Sequence, residues 1–303
     1  MDIYLPIAGM SVNALFIVAL GGLVGVLSGL FGVGGGFLTT PLLIFYGIPP
    51  TVAVASATTQ ITGASVSGVL AHMRRGGVDL RMGGVMIVGG LFGSLAGAGI
   101  FRLLQTSGQI DTVIGILYVL LLGSIGLLML RDAAIALGWV KPEQPATPRP
   151  RHNRWVASLP LRWRFYNSGL YISPIAPLLL GFAAGIMTVL LGIGGGFILV
   201  PAMIYLLGMA ARVVVGTSLV MILAVSAATT MIHALTTQSV DIVLAGLLLV
   251  GGVVGAQYGA MLTTRLKPDL LRLALALIIV SVALRMALGL TYRPDEIFSI
   301  EYL

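Results

Sequence analysis

The chain has no cysteine, which excludes disulfides and thiolate metal sites and leaves the redox compartment unmarked. Charge is nearly as scarce. Asp, Glu, Lys and Arg make up 9% of the residues, against roughly 25% in a soluble domain. No acidic residue lies in the middle of an apolar run; Asp79, Asp111, Asp241 and the other seven sit near the ends of such runs or outside them, as the cost of a charge in hydrocarbon demands. His72 and His233, the histidines outside the polar stretch between the halves, have no acidic or cysteine partner at metal spacing, so zinc chemistry is not expected. No nucleophile with a base is visible within the apolar runs, and no catalytic residue or cofactor site is expected.

What is abundant is hydrocarbon. With 58% hydrophobic residues and a mean hydropathy of +1.06, the chain reads as an all-α integral membrane protein. Its net charge of +7 is then a matter of topology, since Lys and Arg gather on the cytoplasmic side, and no nucleic-acid partner is implied. The first apolar stretch lacks the basic leader of a signal peptide and is read as structure.

The chain is also duplicated. GVGGGFLTTP at Gly32–Pro41 returns as GIGGGFILVP at Gly192–Pro201, His72 answers His233, Val78-Asp79 answers Val240-Asp241, and Gly89, Gly90, Gly93 and Gly97 answer Gly251, Gly252, Gly255 and Gly259. Apolar segments near 14–31, 37–47, 51–72, 83–104 and 111–130 are matched by 173–191, 197–207, 213–236, 242–263 and 270–290. The reading is a first transmembrane repeat at 1–131, a linker at 132–171 and a second repeat at 172–303. The linker is basic and Pro-rich and holds all three tryptophans, which suits a cytoplasmic segment lying against membrane lipids.

The second segment of each half, about 16 Å long as a helix, is too short to cross a core about 30 Å thick. It either continues the first segment as a broken helix, giving about eight full crossings and parallel halves, or turns back at the glycines, giving ten full-plus-short helices and inverted halves. Basic residues favour inversion: only Arg102, Arg285 and Arg293 then fall outside, whereas parallel halves expel Arg102, Arg212, Arg265, Lys267 and Arg272.

Three glycines end one helix, and Phe37 and Phe197 start another whose first amides have no intrahelical partner. Such termini bind anions without a formal cation, and paired Gly-broken segments at matching places mark secondary transporters. A nucleotide-binding reading of the string fails for want of a βαβ context and a P-loop lysine.

These paired G-x-G-G-G-x-x-x-x-P strings, with Val215-Gly216-Thr217-Ser218-Leu219 after the second, resemble the TauE/SafE family of sulfite exporters. The resemblance covers both halves and implies secondary transport of small sulfur-containing anions, such as sulfite or sulfonates, across a bacterial inner membrane. The first half departs from the pattern, reading Ala55-Ser56-Ala57-Thr58.

The candidate substrate site comprises Gly34, Gly35, Gly36 and Phe37, Gly194, Gly195, Gly196 and Phe197, with the side chains of Ser56, Thr59, Gln60, Thr217 and Ser218. A wider polar stripe adds Thr58, Thr62, Ser65 and Ser67 in one half and Ser226, Thr229 and Thr230 in the other; any one hydroxyl would by default satisfy a helix carbonyl. His72 and His233 are read either as helix-end residues or as proton-coupling sites, making protons the candidate coupling ion. Asp79 and Asp241 are expected to cap the next helix. The sequence sets no oligomeric state.

Overall fold

The computed structural model describes residues 2–31, 36–74, 76–136, 138, 160, 162–262 and 268–291; Gly34, Gly35 and most of the 132–171 stretch lie outside the described residues. The first half runs β1 (Asp2–Leu5), β2 (Met10–Asn13), α1 (Ala14–Phe31), α2 (Gly36–Phe45), α3 (Pro50–Arg74), α4 (Leu80–Thr106) and α5 (Ile110–Ala136). The second repeats it as β3 (Trp163–Phe165), β4 (Leu170–Ile172), α6 (Ile175–Leu191), α7 (Gly196–Tyr205), α8 (Ala211–Ile232), α9 (Ile242–Leu262) and α10 (Pro268–Thr291), with a π-helical turn (His233–Thr237) ending α8. Five helices, α4, α5, α8, α9 and α10, are long and apolar enough to cross a bilayer. Among the shorter helices α1 and α6 are apolar throughout, whereas α3 is long but diluted by its Ser and Thr residues.

Each half opens on an antiparallel hairpin, β1 with β2 and β3 with β4. Gly9 (φ +66°) and Gly169 (φ +63°) occupy matching turn positions in the left-handed region that glycine enters without penalty. The second hairpin falls inside the stretch read from sequence as linker, and its Phe165, Leu170 and Ile172 are buried against Ala176, Met203 and Val214. The hairpin of the first half therefore has a counterpart at Trp163–Ile172.

The short helices turn back. The Tyr46 ring after α2 stacks on Phe16 in the first turn of α1, with centroids 4.7 Å apart, and the Asn13 amide donates to the Tyr46 hydroxyl at 3.4 Å. The end of α2 thus lies beside the start of α1, as in a helical hairpin.

Helices from different halves then interleave. Gly21, Gly22 and Gly25 of α1 meet Leu248, Gly251 and Gly252 of α9 in the same order along both chains, so these helices run parallel. Gly89, Gly93 and Gly97 of α4 follow Leu178, Phe182 and Ile186 of α6 in the same way. The contacts are backbone to backbone: a Cβ on Gly255 would stand 2.1 Å from the Gly22 carbonyl oxygen and one on Gly93 2.1 Å from that of Phe182. The glycines that recur in both halves thus serve close crossing, the packing mode by which helices associate in lipid.

Equivalent helices run in opposite directions. Thr59 lies beside Thr230 and Gly68 beside Leu219, so α3 and α8 are antiparallel; Gly126 beside Val280 and Gly115 beside Leu290 give the same result for α5 and α10.

Candidate functional site

The second glycine string, and Gly36, the last glycine of the first, lie at the crossing of α3 and α8. In the second, Gly192, Gly194 and Gly195 all have φ between +67° and +76°, a left-handed run that residues with a Cβ rarely adopt. Gly192 closes α6 by donating to the Thr188 carbonyl at 2.8 Å, and the Gly195 carbonyl accepts from Leu199, starting α7. The Leu191 carbonyl, stranded at the end of α6, accepts from the hydroxyls of Tyr118 on α5 and Thr40 on α2.

The starts of α2 and α7 converge as the duplication requires. Phe37 and Phe197 are buried and their rings stack on each other, centroids 4.4 Å apart and 5° from parallel. Ile61 of α3 lies under both strings: an added Cβ would come within 2.1 Å of its Cδ1 at Gly36 and within 2.9 Å of its Cγ2 at Gly194. The crossing is packed shut in this conformation. Pro41 and Pro201, the sixth residues of α2 and α7, lack the amides that would close on the carbonyls of Phe37 and Phe197.

Among the described residues, two buried side-chain atoms have no hydrogen-bond partner, Ser226 Oγ and Gln60 Oε1. Ser226 is fully buried on α8, and its Oγ lies 3.3 Å from where a Cβ on Gly194 would stand. Gln60, buried on α3, spends its amide nitrogen on the Leu248 carbonyl at 3.4 Å and leaves its oxygen as an acceptor. A buried polar atom without a partner costs about 1–3 kcal/mol, so the two, Ser226 beside the helix break and Gln60 where α3 faces α9, require an explanation other than packing.

Most of the other hydroxyls of the stripe have partners of three kinds; the side chain of Ser67 lies outside the described residues. Thr58, Thr59 and Thr62 donate to the carbonyls of Val54, Ala55 and Thr58, and Ser218 to that of Val215, so these hydroxyls satisfy their own helices; Thr59 also reaches Thr230 at 3.5 Å. Ser56 and Thr217 are buried acceptors for the backbone amides of Asp241 and Asp79, each in the opposite half. Ser94 and Thr229 meet at 3.3 Å between α4 and α8.

The two aspartates are helix caps, as expected. Asp79 accepts from the Met82 amide at 3.1 Å and Asp241 from the Leu244 amide at 3.0 Å. Each also holds a hairpin from the other half: Asp79 accepts from the Ser168 amide and hydroxyl, and Asp241 from the Ile7 amide at 3.2 Å. This latch was not anticipated, although Gly9 and Gly169 stand at the same offset as the glycine strings.

The histidines sit at the far ends of the α3 and α8 segments. His233 is buried between the Val189 carbonyl at 3.1 Å and the Thr237 hydroxyl at 3.3 Å, edge-on to Phe101. His72 is half-buried in the last turn of α3. Among the described residues no group of His, Asp and Glu is arranged to hold a metal.

Ser226 belongs to the polar stripe but lies outside the candidate ligand set that the sequence suggests. The signal was available: of all the hydroxyl positions in the stripe, only Ser56/Thr217 and Ser65/Ser226 recur in both halves. The first pair holds the caps; the second supplies the unpartnered hydroxyl at the crossing.

Comparison with known proteins extends the picture beyond geometry. The profile of the family described as "Sulfite exporter TauE/SafE" matches residues 17–286. A "Probable membrane transporter protein" from Xylella fastidiosa (strain Temecula1) is 31% identical over 280 residues, covering 91% of this chain and 95% of its own length. "Probable membrane transporter protein YjnA" from Bacillus subtilis (strain 168) is 29% identical over 275 residues, covering 89% and 98%. No solved structure matches the chain significantly.

Proposed function

From the premise that the chain belongs to the sulfite exporter TauE/SafE family of multi-pass membrane transporters, we propose that it is a secondary transporter of small sulfur-containing anions, sulfite or a sulfonate, working as an exporter in the inner membrane. The observation that carries the proposal is the unpartnered buried Ser226 Oγ beside Gly194 at the start of α7, accompanied by a second unpartnered atom, Gln60 Oε1, on α3 where it faces α9. Ser226 donates to an oxyanion. Gln60 Oε1 only accepts, and so takes a water or the O–H of a protonated oxyanion. The remaining charge falls on the first amides of α2 and α7, at Gly36-Phe37 and Gly196-Phe197, which supply a partial positive charge without a cation.

We infer that the halves are inverted across the bilayer. The opposite directions of α3 and α8, and of α5 and α10, support this, because an axis relating such pairs lies in the membrane plane. Rocking of one set of interleaved helices on the other would then part Phe37 from Phe197 and expose the crossing to each side in turn. Chemistry on the anion is not part of the proposal, since transport alone accounts for the duplication, the helix breaks and the neutral polar site.

The test is a panel of sulfite, sulfate, thiosulfate, sulfoacetate, taurine and acetate added to purified protein during thermal unfolding. A bound anion stabilises by mass action. Sulfite or a sulfonate should raise the unfolding temperature and acetate should not; stabilisation by acetate alone would replace the substrate class with carboxylates.

A further inference from the structure

The hairpin β3–β4 and the first turns of α4 border a second feature, an open groove with a basic rim. A cavity of about 600 Å³ is lined by Arg81, Arg162, Arg164, Trp163 and Tyr166 on one side and by Leu80, Val85 and Val88 of α4 on the other. The guanidinium groups of Arg81 and Arg164 lie 5.1 and 5.7 Å from the centroid of the single Tyr166 ring, so the two charges are within about 11 Å of each other. Among the described residues that ring is the partner of both. Like charges drawn to one point repel, and an anion between them relieves the repulsion.

The cavity is amphipathic along α4. Its basic and aromatic rim stands at the start of α4, and its apolar wall follows α4 down to Val88, eight residues or about 12 Å at helical rise. Gly84 lies in that wall with nothing within 4 Å of an added Cβ. Tryptophan and tyrosine at such a rim match the headgroup level of a bilayer.

The duplication supplies an internal control. At the matching place in the other half, Arg81 becomes Val243, Arg162 becomes Asp2, Arg164 becomes Tyr4 and Tyr166 becomes Pro6. The hairpin and its aspartate latch are kept there, but every positive charge is gone. The arginines are therefore not needed to build the hairpin.

We propose that this cavity binds the phosphate of an anionic phospholipid, with the phosphodiester between Arg81 and Arg164 and the upper acyl chain along Val85 and Val88. A freely soluble phosphate shares the headgroup chemistry but makes no use of the apolar wall. Only one of the two pseudo-equivalent places carries the site, so one leaflet alone is recognised.

The test is native mass spectrometry of the purified full chain from detergent, equilibrated with phosphatidylglycerol or phosphatidylcholine of the same acyl chains. Unfolding temperatures with inorganic phosphate and glycerol phosphate are measured alongside. Two variants are compared: the double Arg81→Gln, Arg164→Gln, which removes the charges, and Gly84→Leu, which fills the apolar wall where there is open space. Wild type should retain phosphatidylglycerol at least about tenfold over phosphatidylcholine, as two surface cations predict. Both variants should elute monodisperse and lose that preference to within about twofold, and the soluble phosphates should leave the unfolding temperature unchanged. Loss in the arginine variant with full retention in Gly84→Leu would mean diffuse surface attraction and would overturn the site. Retention in both variants, or stabilisation by soluble phosphate without lipid preference, would overturn it as well.

Discussion

The carboxylate of Asp79 does two jobs at once, and removing it should show both. One oxygen caps α4 through the Met82 amide and the other accepts from the Ser168 amide at 3.0 Å and from the Ser168 hydroxyl, pinning the β3–β4 turn. Losing a cap costs about 0.5–2 kcal/mol. Hydrogen bonds to a charged group are worth about 1.5–3 kcal/mol, and the lower figure applies here because Ser168 is only half-buried and water replaces part of the loss. Asp79→Ala should therefore cost about 3 kcal/mol, equivalent to a fall of roughly 5–10 °C in unfolding temperature for a chain of this size. Asp79→Asn keeps the acceptor for Met82 but turns an amide N–H₂ towards the Ser168 N–H, and should lose about half as much. Combined with Ser168→Ala in a double-mutant cycle, the two sites should couple by about 1 kcal/mol. The assay is thermal unfolding in detergent followed by tryptophan fluorescence, to which Trp163 on β3 contributes. An Asp79→Ala protein that melts within a degree of wild type, or an additive cycle, would refute the latch.

Three further outcomes are expected. Gly255→Ala should lower stability by about 1–3 kcal/mol, because its methyl would stand 2.1 Å from the Gly22 carbonyl oxygen, whereas Gly246→Ala on the same helix meets nothing and should be neutral or stabilising by up to about 1 kcal/mol; thermal unfolding of the pair checks this. Single cysteines at the exposed positions Arg74 and Gln238 of this cysteine-free chain should label from opposite sides with a membrane-impermeant maleimide, and equal labelling of both would contradict inversion. His233→Gln should flatten the pH dependence of transport with little change in anion binding, and an unchanged profile in the double His72→Gln, His233→Gln variant would remove histidine from the mechanism.

The sequence made the membrane class, the duplication and the short second helix legible, because hydropathy, spacing and a ten-residue repeat are each visible without a partner. Length left two readings of the short second helix, a broken crossing or a hairpin, and the placement of basic residues favoured the hairpin; Phe16 and Tyr46 meet as a hairpin requires. Asp79 and Asp241 were readable as caps from their place before an apolar run. Their hold on the opposite hairpin was not, because it joins residues 89 and 234 positions apart and each hairpin is only a few residues long. The hydroxyls were the least legible part. Most of them bond their own helix, and only comparison of the halves separates Ser226 from Thr58 or Ser218.

That distinction also decides which variant probes the anion site. Gly195 has φ +76° and Ala184 Cβ 3.1 Å from an added Cβ, so Gly195→Val would strain the fold whether or not an anion binds there. Ser226→Ala removes only the unpartnered hydroxyl and relieves a buried polar atom without adding volume, so the protein should fold about as well as wild type.

Uptake of ³⁵S-sulfite by proteoliposomes, measured on wild type and Ser226→Ala at matched amounts of folded protein, tests the central claim most directly. The account predicts saturable flux in wild type, and a fall of roughly one to two orders of magnitude in apparent affinity in the variant, the worth of one hydrogen bond to an anion. Equal affinity in the two would contradict the placement of the anion at the α3–α8 crossing, and absence of flux for sulfite and every sulfonate tried would contradict the proposed substrate class.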